Sequence, residues 1–242
     1  MSLDLGGNKL YTTSIAPEGQ ALKYIVRDNL LVYLDAANIN SYPKTGTAWN
    51  DLSGYGYNST LQGATVVYSV VGGYVNFNGS TNYTSLYSIP DAYWNAGSWT
   101  VSLWCYMPTV NKGADNAFVS HGAVGTNNGL HLCERSAKAY FGMYSNDTTG
   151  TITLNSATWY NIVYTFNYST KLKQIYVNGV FDTSGGSVGY GGTGTNTEIG
   201  RFPWSTGSVM LGYIPTVIFY NKVISATEVT QNYYVQKARF GL

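Results

Sequence analysis

Twelve acidic side chains are the first groups in this 242-residue chain that could do chemistry. Enzymes that hydrolyse glycosidic bonds use two carboxylates, one as nucleophile or base and the other as acid. On a single strand the two acids must stand at alternate positions, because alternate side chains share a face. The two acids nearest in sequence, Asp28 and Asp35, are seven residues apart. No two acids are close enough to share one strand. A pair assembled from distant strands remains an alternative. We therefore expect that the protein is not an enzyme.

Histidine and cysteine offer a second chemistry, a zinc site. His121, His131 and Cys133 form an H-x9-H-x-C pattern, and His131 and Cys133 share one strand face. Structural zinc sites use four ligands at tighter spacing, so histidines in loops or at strand edges are the favoured interpretation. Cys105 and Cys133 could form a disulfide, but two cysteines do not make a disulfide framework. Buried free thiols are the favoured interpretation.

Three aspartates are candidate ligands for a structural calcium ion: Asp35, Asp51 and Asp182. Calcium binds six or more oxygens, several of them from carboxylates. The alternative for Asp35 and Asp51 is that they stabilise turns or cap elements, because aspartate accepts hydrogen bonds from nearby backbone amides. The sequence leaves both alternatives open and indicates no other cofactor.

Aromatic side chains are the candidates for binding without catalysis. The chain has 23 Tyr, and only 10% of its residues are charged, against ~25% in an average soluble protein. Aromatic faces can stack on sugar rings while Asn and Gln bond to the hydroxyls. The candidate ligand-binding residues are Trp104, Tyr106, Tyr140, Tyr144 and Trp204. Core packing is the alternative for these side chains, and it is favoured for Trp104.

Charge and hydropathy exclude several classes of function. The net charge is +1 and the basic residues are scattered, so the electrostatic footprint of a nucleic-acid partner is missing. No stretch reaches the ~18 apolar residues of a membrane span. The first residues lack an apolar core segment, so we expect no signal peptide.

Short strand patterns separated by Gly, Asn and Ser turns begin at Asn29 and predict an all-β fold. Residues 1–28 are predicted to form an N-terminal arm, and residues 29–242 a single domain. The segment Trp99–Met107 alternates between two faces with period two, as a strand does.

Two local signals predict particular elements. Asn178-Gly179 stands between β-rich runs and favours a two-residue type I′ turn, so residues 159–183 should form a three-stranded meander. Ser225 and Glu228 have the spacing of a capping box. They predict a short helix over Thr227–Tyr234, the only regular helix expected.

Four motifs, in this order, resemble the concanavalin A-like lectin/glucanase superfamily, specifically its laminin-G-like jelly roll. They are Ser98–Trp104 (SWTVSLW), Trp159–Gly179 ending in IYVNG, Thr197–Gly200 (TEIG) and Leu211–Thr227. The resemblance runs from about Leu30 to the C-terminus. It implies a jelly-roll β-sandwich of two antiparallel sheets with one short C-terminal helix. Because one fold hosts many functions, it implies a role only loosely.

A finer resemblance lies near the ends of the chain. Tyr33–Asn38 (YLDAAN), Trp49–Gly54 (WNDLSG) and Arg239–Leu242 (RFGL) are similar to a subgroup found in structural proteins of tailed phages. This similarity implies a virion structural protein, such as a capsid decoration, head fibre or tail-associated module, at the virion surface. The implied partners are further copies of the chain or other virion proteins, with host-surface glycans as a compatible addition.

The alternative function is a carbohydrate-binding, lectin-type module without catalytic activity. The sequence also departs from the family at one informative place. Ile214-Pro215 stands where Asp or Asn is usual. This departure lowers the expectation of a calcium site.

Overall fold

Strands dominate the computed structural model, which describes residues 14–15, 21–22, 24–194 and 197–242. The strands are β1 Ser14–Ile15, β2 Ala21–Leu22, β3 Leu30–Asp35, β4 Ala48–Trp49, β5 Ser59–Gln62, β6 Thr65–Ser69, β7 Gly72–Asn78, β8 Tyr83–Leu86, β9 Trp99–Met107, β10 Asn116–Gly122, β11 Gly129–Arg135, β12 Lys138–Gly142, β13 Thr148–Thr149, β14 Thr158–Asn167, β15 Leu172–Val177, β16 Val180–Gly186, β17 Thr197–Ile199, β18 Arg201–Phe202, β19 Ser205–Val209 and β20 Leu211–Tyr220. The helices are α1 Asp91–Asn95 and α2 Ala226–Lys237, and a 3₁₀ turn follows at Ala238–Phe240.

Two large antiparallel sheets form the sandwich. Sheet I has the order β13-β12-β11-β10-β17-β8-β5-β4. Sheet II has the order β16-β15-β14-β9-β20-β7-β6, and β3 also pairs with β20. Consecutive hairpins form the outer parts of each sheet, whereas the central neighbours are distant in sequence, as in a jelly roll. The predicted all-β sandwich of two antiparallel sheets is confirmed.

The core lies between the sheets because the strands alternate. On β9 the inward side chains are buried in this core: Trp99, Val101, Leu103, Cys105 and Met107. The intervening side chains of β9 face the outer side of sheet II, where α2 covers part of them. Trp104 is fully buried there, with its ring 4.1 Å from that of Phe240 and its Nε1–H donating to Gln236 at 2.6 Å.

The predicted meander is confirmed as β14, β15 and β16. At its second turn Asn178 and Gly179 both have positive φ, 52° and 79°, as a type I′ turn requires. The Asn178 side chain also accepts a hydrogen bond from the Asn161 amide at 2.9 Å. This contact fixes the turn against β14.

Strand β20 changes partners at a proline. Residues Leu211 to Ile214 pair with β7, and Thr216 to Tyr220 pair with β3. Pro215 lies at the change, where the regular register is interrupted. A residue without an N–H fits such a break, because no ladder hydrogen bond is lost. Its carbonyl oxygen accepts from the Ala36 amide at 2.9 Å.

The C-terminal helix begins with the predicted capping box of Ser225 and Glu228 and runs longer than predicted. The expectation of a single helix was wrong, because α1 follows Pro90 as a five-residue helix. Proline followed by an acidic residue is a usual helix start, so a signal was present. No helix among the described residues is long and apolar enough to cross a membrane.

Part of the predicted arm packs on the domain. Ile25 and Val26 are buried in a cluster with residues of β20 and α2, and the Val26 amide donates to Asn232 at 2.8 Å. Residues 1–13, 16–20 and 23 of the arm lie outside the described residues. The division of the chain at residue 28 stays a prediction.

The two cysteines lie on different sides of the sandwich. Cys105 belongs to the core, whereas Cys133 faces the outer side of sheet I. Both are buried free thiols, as predicted.

Arg239 ties the C-terminal segment to three other elements. Its guanidinium donates to the carboxylate of Asp35 at 2.8 Å, to the Val71 carbonyl at 2.6 Å and to the Gly73 carbonyl at 2.8 Å. Only about a tenth of either charged side chain is exposed, 10% for Arg239 and 14% for Asp35. The RFGL motif therefore has a structural role: it closes the chain end over β3 and the β6–β7 hairpin.

Lys173 links the two sheets from inside the sandwich. It lies on β15 and is fully buried, and its Nζ donates to the Asn146 carbonyl at 2.7 Å and to Asn146 Oδ1 at 3.3 Å. Asn146 belongs to the loop between β12 and β13 of sheet I. Burial lowers the pKa of Lys173 from 10.5 to about 8, because the charged ammonium is poorly solvated there.

Replacing Arg239 by methionine should destabilise the domain by about 3 kcal/mol, because it leaves a largely buried carboxylate without its cation and removes a donor from two carbonyls. The measurement is the midpoint of urea unfolding. Asp28→Asn is the matched control, since Asp28 is an exposed partner of Lys222 and its loss should leave the midpoint unchanged. Equal midpoints for Arg239→Met and wild type would contradict the assigned role of Arg239.

The stability of the wild type should rise relative to Lys173→Met between pH 8 and 9.5. Above a pKa of about 8 the folded lysine loses its proton, whereas the unfolded lysine keeps it until about pH 10.5. The unfolded state then binds more protons, so the free energy of unfolding increases by up to about 1.4 kcal/mol per pH unit. Urea titrations at several pH values measure the difference, and parallel curves for the two proteins would refute it.

Candidate functional site

A cleft of about 330 Å³ opens on the outer face of sheet I. Strand β11 and the loop between β12 and β13 form one side of it, and the β18–β19 hairpin forms the other. The lining residues are Asp115, His131, Arg135, Tyr144, Asp147, Phe202, Trp204, Ser205 and Ser208. Two of the predicted aromatic residues, Tyr144 and Trp204, are therefore brought together here.

The β18–β19 hairpin lies over sheet I because of the turn at Gly200. Gly200 has φ 88°, and a Cβ at this position would stand 2.3 Å from the Phe77 ring, so only glycine fits. The Ser120 hydroxyl holds the hairpin by donating to the Arg201 carbonyl at 2.7 Å. The hairpin then places Phe202 and Trp204 above the sheet.

The aromatic floor of the cleft supports Trp204. Phe202 is buried with Cys133 and Tyr140 in one outer cluster. The ring of Trp204 stacks on Phe202 at a centroid distance of 5.8 Å and an interplanar angle of 15°. Because Phe202 fixes one face of the indole, Trp204 is held partly exposed.

Tyr144 is positioned by an unusual backbone. Tyr144 and Ser145 both have left-handed φ values, 56° and 57°, which is costly for residues other than glycine. The ring lies against Gly129, where a Cβ would meet it at 2.4 Å. The ring centroid of Tyr144 is 6.0 Å from that of Trp204.

The charges of the cleft are largely paired. Arg135 donates two hydrogen bonds to Asp115, at 2.8 and 2.7 Å. Its guanidinium also lies 4.0 Å from the centroid of the Tyr140 ring. The hydrogen bond to Asp115 raises the pKa of Arg135 further above its ordinary value. The pair is a planar, two-pronged contact of the strong kind.

His131 is a buried, neutral component of the wall. Its Nδ1–H donates to the Gly129 carbonyl at 2.8 Å, and its Nε2 lies 4.0 Å from Asp147. Burial lowers its pKa below 6.5. The ring passes directly over Gly142, where a Cβ would be 2.0 Å from Nε2.

Asp147 is held by the turn that carries Tyr144. Its Oδ1 accepts from the Met143 amide at 2.9 Å. Burial raises the pKa of Tyr140, and a hydrogen bond to Asp147 raises it further. Asp147 therefore lies between the wall of the cleft and its aromatic floor.

The predicted ligand-binding residues divide between the two sheets. Tyr144 and Trp204 meet at the cleft, and Tyr140 is buried beside it with Phe202. Trp104 is buried beneath the C-terminal segment, so its prediction as a ligand-binding residue was wrong: it packs there, as the alternative held. Tyr106 lies on sheet II, stacked on Tyr213 at 5.3 Å, away from the cleft, and its role in binding stays a prediction.

Sequence reasoning missed the polar residues of the cleft. Asp115, Arg135 and Asp147 lie on separate loops and strands, and neither spacing nor charge pattern connects them. The one available signal was the loop of Tyr144–Asp147, whose Ser-Asn-Asp composition is typical of turns.

The three calcium candidates do not fit a calcium site. Asp51 accepts from the Tyr33, Ser53 and Tyr57 amides, and Asp35 is paired with Arg239. Asp182 Oδ1 accepts three hydrogen bonds near Thr151, and its buried Oδ2 has no hydrogen-bond partner. No group of three His, Cys, Asp or Glu side chains among the described residues could hold a metal ion.

The two histidines are separated by sheet I. His121 faces inward, with its ring 5.6 Å from that of Trp94. Its Nε2 lies 3.0 Å from Asp91 and its Nδ1 lies 2.9 Å from the Tyr190 hydroxyl. His131 faces the cleft on the other side. A shared zinc site is therefore excluded, as the spacing indicated.

Comparisons with solved structures find the same fold. The chain is similar to a Trypanosoma rangeli sialidase in complex with the inhibitor DANA, at 14% identity and a TM-score of 0.67, over 96% of this chain and 36% of the sialidase. It is also similar to domain 4 of AbnA, a GH43 extracellular arabinanase from Geobacillus stearothermophilus, in complex with arabinotriose. There the identity is 17% and the TM-score 0.63, over 84% of this chain and 98% of that domain.

A third similar structure is the binding domain of Paraclostridial Mosquitocidal Protein 1. Its identity is 17% and its TM-score 0.63, over 86% of this chain and 52% of that one. At such identities the likeness shows the fold alone, and the chain spans about a third of the sialidase. A search of curated protein sequences gave no match. The profile of one family matches residues 78–230, and the chain belongs to that family, the concanavalin A-like lectin/glucanases superfamily.

Proposed function

We propose that the protein is a non-catalytic carbohydrate-binding module and that the cleft on sheet I is its sugar site. The observation that carries the proposal is the pair of partly exposed rings, Tyr144 and Trp204, at a centroid distance of 6.0 Å. Both rings are fixed from below, one by Gly129 and the other by Phe202. Rigid aromatic faces bind a flat apolar surface at little entropic cost.

The remaining lining groups suit the polar edge of a sugar. Hydroxyls of a sugar both donate and accept hydrogen bonds, so they match the hydroxyls of Ser205 and Ser208 and the carboxylate of Asp147. A concave site with mostly apolar walls and a few converging polar groups is the usual form of a small-ligand pocket. This cleft is more polar than that form, because six polar or charged side chains line it beside the three aromatic ones, Tyr144, Phe202 and Trp204.

Binding without hydrolysis follows from how the carboxylates are engaged. A glycosidase needs one carboxylate that attacks or activates water and a second that delivers a proton. Both oxygens of Asp115 already accept hydrogen bonds from Arg135. Asp147 is then left without the second acid that hydrolysis requires.

A similar domain supports the proposal. Domain 4 of the Geobacillus stearothermophilus arabinanase, which this chain matches over 98% of its length, is in complex with arabinotriose. Its fold therefore accommodates an oligosaccharide in at least one instance.

Replacing Trp204 or Tyr144 by alanine should weaken glycan binding by about tenfold or more, because each loses a stacking face. A glycan array identifies the bound glycan, and titration calorimetry with it measures the affinities. Tyr55→Ala is the matched control, because Tyr55 is exposed and packs against Tyr57 outside the cleft. A wild-type protein that binds no glycan, or a Trp204→Ala variant that binds as tightly as wild type, would contradict the proposal.

We infer a second role as a virion structural protein, at the virion surface, assembled with further copies of itself or with other virion proteins. The observation that favours this role is the contact between Arg239 and Asp35. The two residues belong to RFGL and YLDAAN, two of the motifs that resemble the tailed-phage subgroup. Their contact explains why both motifs would occur in the same protein, and this supports the resemblance. Glycan binding is compatible with it, because a virion surface can adhere to host sugars.

Assembly with further copies of the chain requires self-association, so in that form of the role the purified chain should form a trimer or larger oligomer. Size-exclusion chromatography with light scattering measures the mass against the 26.4 kDa of one chain. A monomer at every concentration tested would count against the homo-oligomeric form of this role.

A further inference from the structure

We infer that the cleft selects glycans whose terminal sugar is neutral or carries an amino group, and that it disfavours acidic sugars such as sialic and uronic acids. This inference rests on the proposed function of the cleft. It concerns the charge of the ligand, which neither the fold nor its structural neighbours decide.

The charge of the cleft is negative. Its lining includes two carboxylates, Asp115 and Asp147, and one guanidinium, Arg135. His131 adds no charge near pH 7, because burial keeps it neutral. The sum of the lining charges is therefore minus one, and Asp147 is the group that leaves it unbalanced.

An acidic sugar would need a cation that is available to it. Among the lining residues that the structure describes, Arg135 is the one cation, and Asp115 takes two of its N–H groups. The ring of Tyr140 covers a face of the guanidinium. A second carboxylate could reach the remaining N–H groups of Arg135, but it would meet a guanidinium whose charge Asp115 already offsets, and the two carboxylates would repel each other.

Two further cations lie near the cleft without lining it. Arg201, on the hairpin, donates twice to Glu198, at 2.7 and 2.8 Å. Lys112 reaches the hairpin at the Gly207 carbonyl, 3.4 Å away, and it is attracted by Glu134 and Asp115. Arg201 thus has a carboxylate of the protein as its partner, whereas the hydrogen bond of Lys112 goes to a carbonyl and Glu134 and Asp115 act on it without an ion pair. Within the cleft, a ligand anion meets the paired Arg135 and the unbalanced Asp147.

A neutral or amino sugar meets no such obstacle. Its hydroxyls can donate to Asp147, and an ammonium group can pair with it, since a charged donor strengthens a hydrogen bond to a carboxylate. The stacking faces of Tyr144 and Trp204 contribute equally to sugars of any charge. The discrimination between sugars therefore comes from Asp147.

The test is a glycan array at pH 7, with full-length wild type, that presents matched neutral, amino and carboxylated terminal sugars. The wild type should prefer neutral and amino sugars over carboxylated ones by on the order of tenfold. Asp147→Asn should raise the ratio of acidic to neutral binding by several-fold, because it removes the unbalanced charge while an amide oxygen can still accept from Met143.

Asp28→Asn is the matched control, because it removes one exposed carboxylate that pairs with Lys222 outside the cleft, and it should leave the ratio unchanged. Preferential binding of carboxylated sugars by the wild type would overturn the inference and leave the proposed function standing. An unchanged ratio in Asp147→Asn would also overturn it. Binding of no glycan at all would overturn the proposed function and this inference with it.

Discussion

Each strand side chain must face either the space between the sheets or the outer surface, and here both directions lead to aromatic burial. Between the sheets, Trp99 and its neighbours fill the core. Outside sheet II, Trp104 is stacked under Phe240. Outside sheet I, Tyr140 and Phe202 pack together under the hairpin. The C-terminal segment and the β18–β19 hairpin are therefore positioned by the outward residues of the strands, and the cleft is the part of that outer packing that stays open.

Charged residues are few in this chain, and the arginines near the cleft are each paired with a carboxylate. With 10% charged residues, an arginine near the cleft has a specific carboxylate partner: Arg135 has Asp115 and Arg201 has Glu198. The lysine buried between the sheets contacts the carbonyl of Asn146 instead. Such pairing leaves the two fixed aromatic rings, Tyr144 and Trp204, and a single carboxylate without an arginine partner, Asp147, as the groups of the cleft that are open to a ligand.

Local sequence rules predicted the parts of the fold that depend on neighbouring residues. The turn at Asn178-Gly179 and the capping box of Ser225 depend only on a few adjacent side chains, so they could be predicted. The cleft depends on which strands become neighbours, and its Asp115 and Asp147 meet through sheet order. The left-handed backbone at Tyr144 and the burial of Trp104 by Phe240 likewise follow from tertiary packing, which no short pattern encodes.

The contact of Arg239 with Asp35 has a consequence for how the protein is made. The strand β3 pairs with β20, and its last residue is then fixed by a side chain about two hundred positions later. Contacts so distant in sequence form slowly, because a long loop must close first. While the ribosome is still adding residues, β3 has no partner in sheet II and exposes its apolar face. Strand β3 can be paired only after β20 has been made, and its contact with Arg239 forms later still.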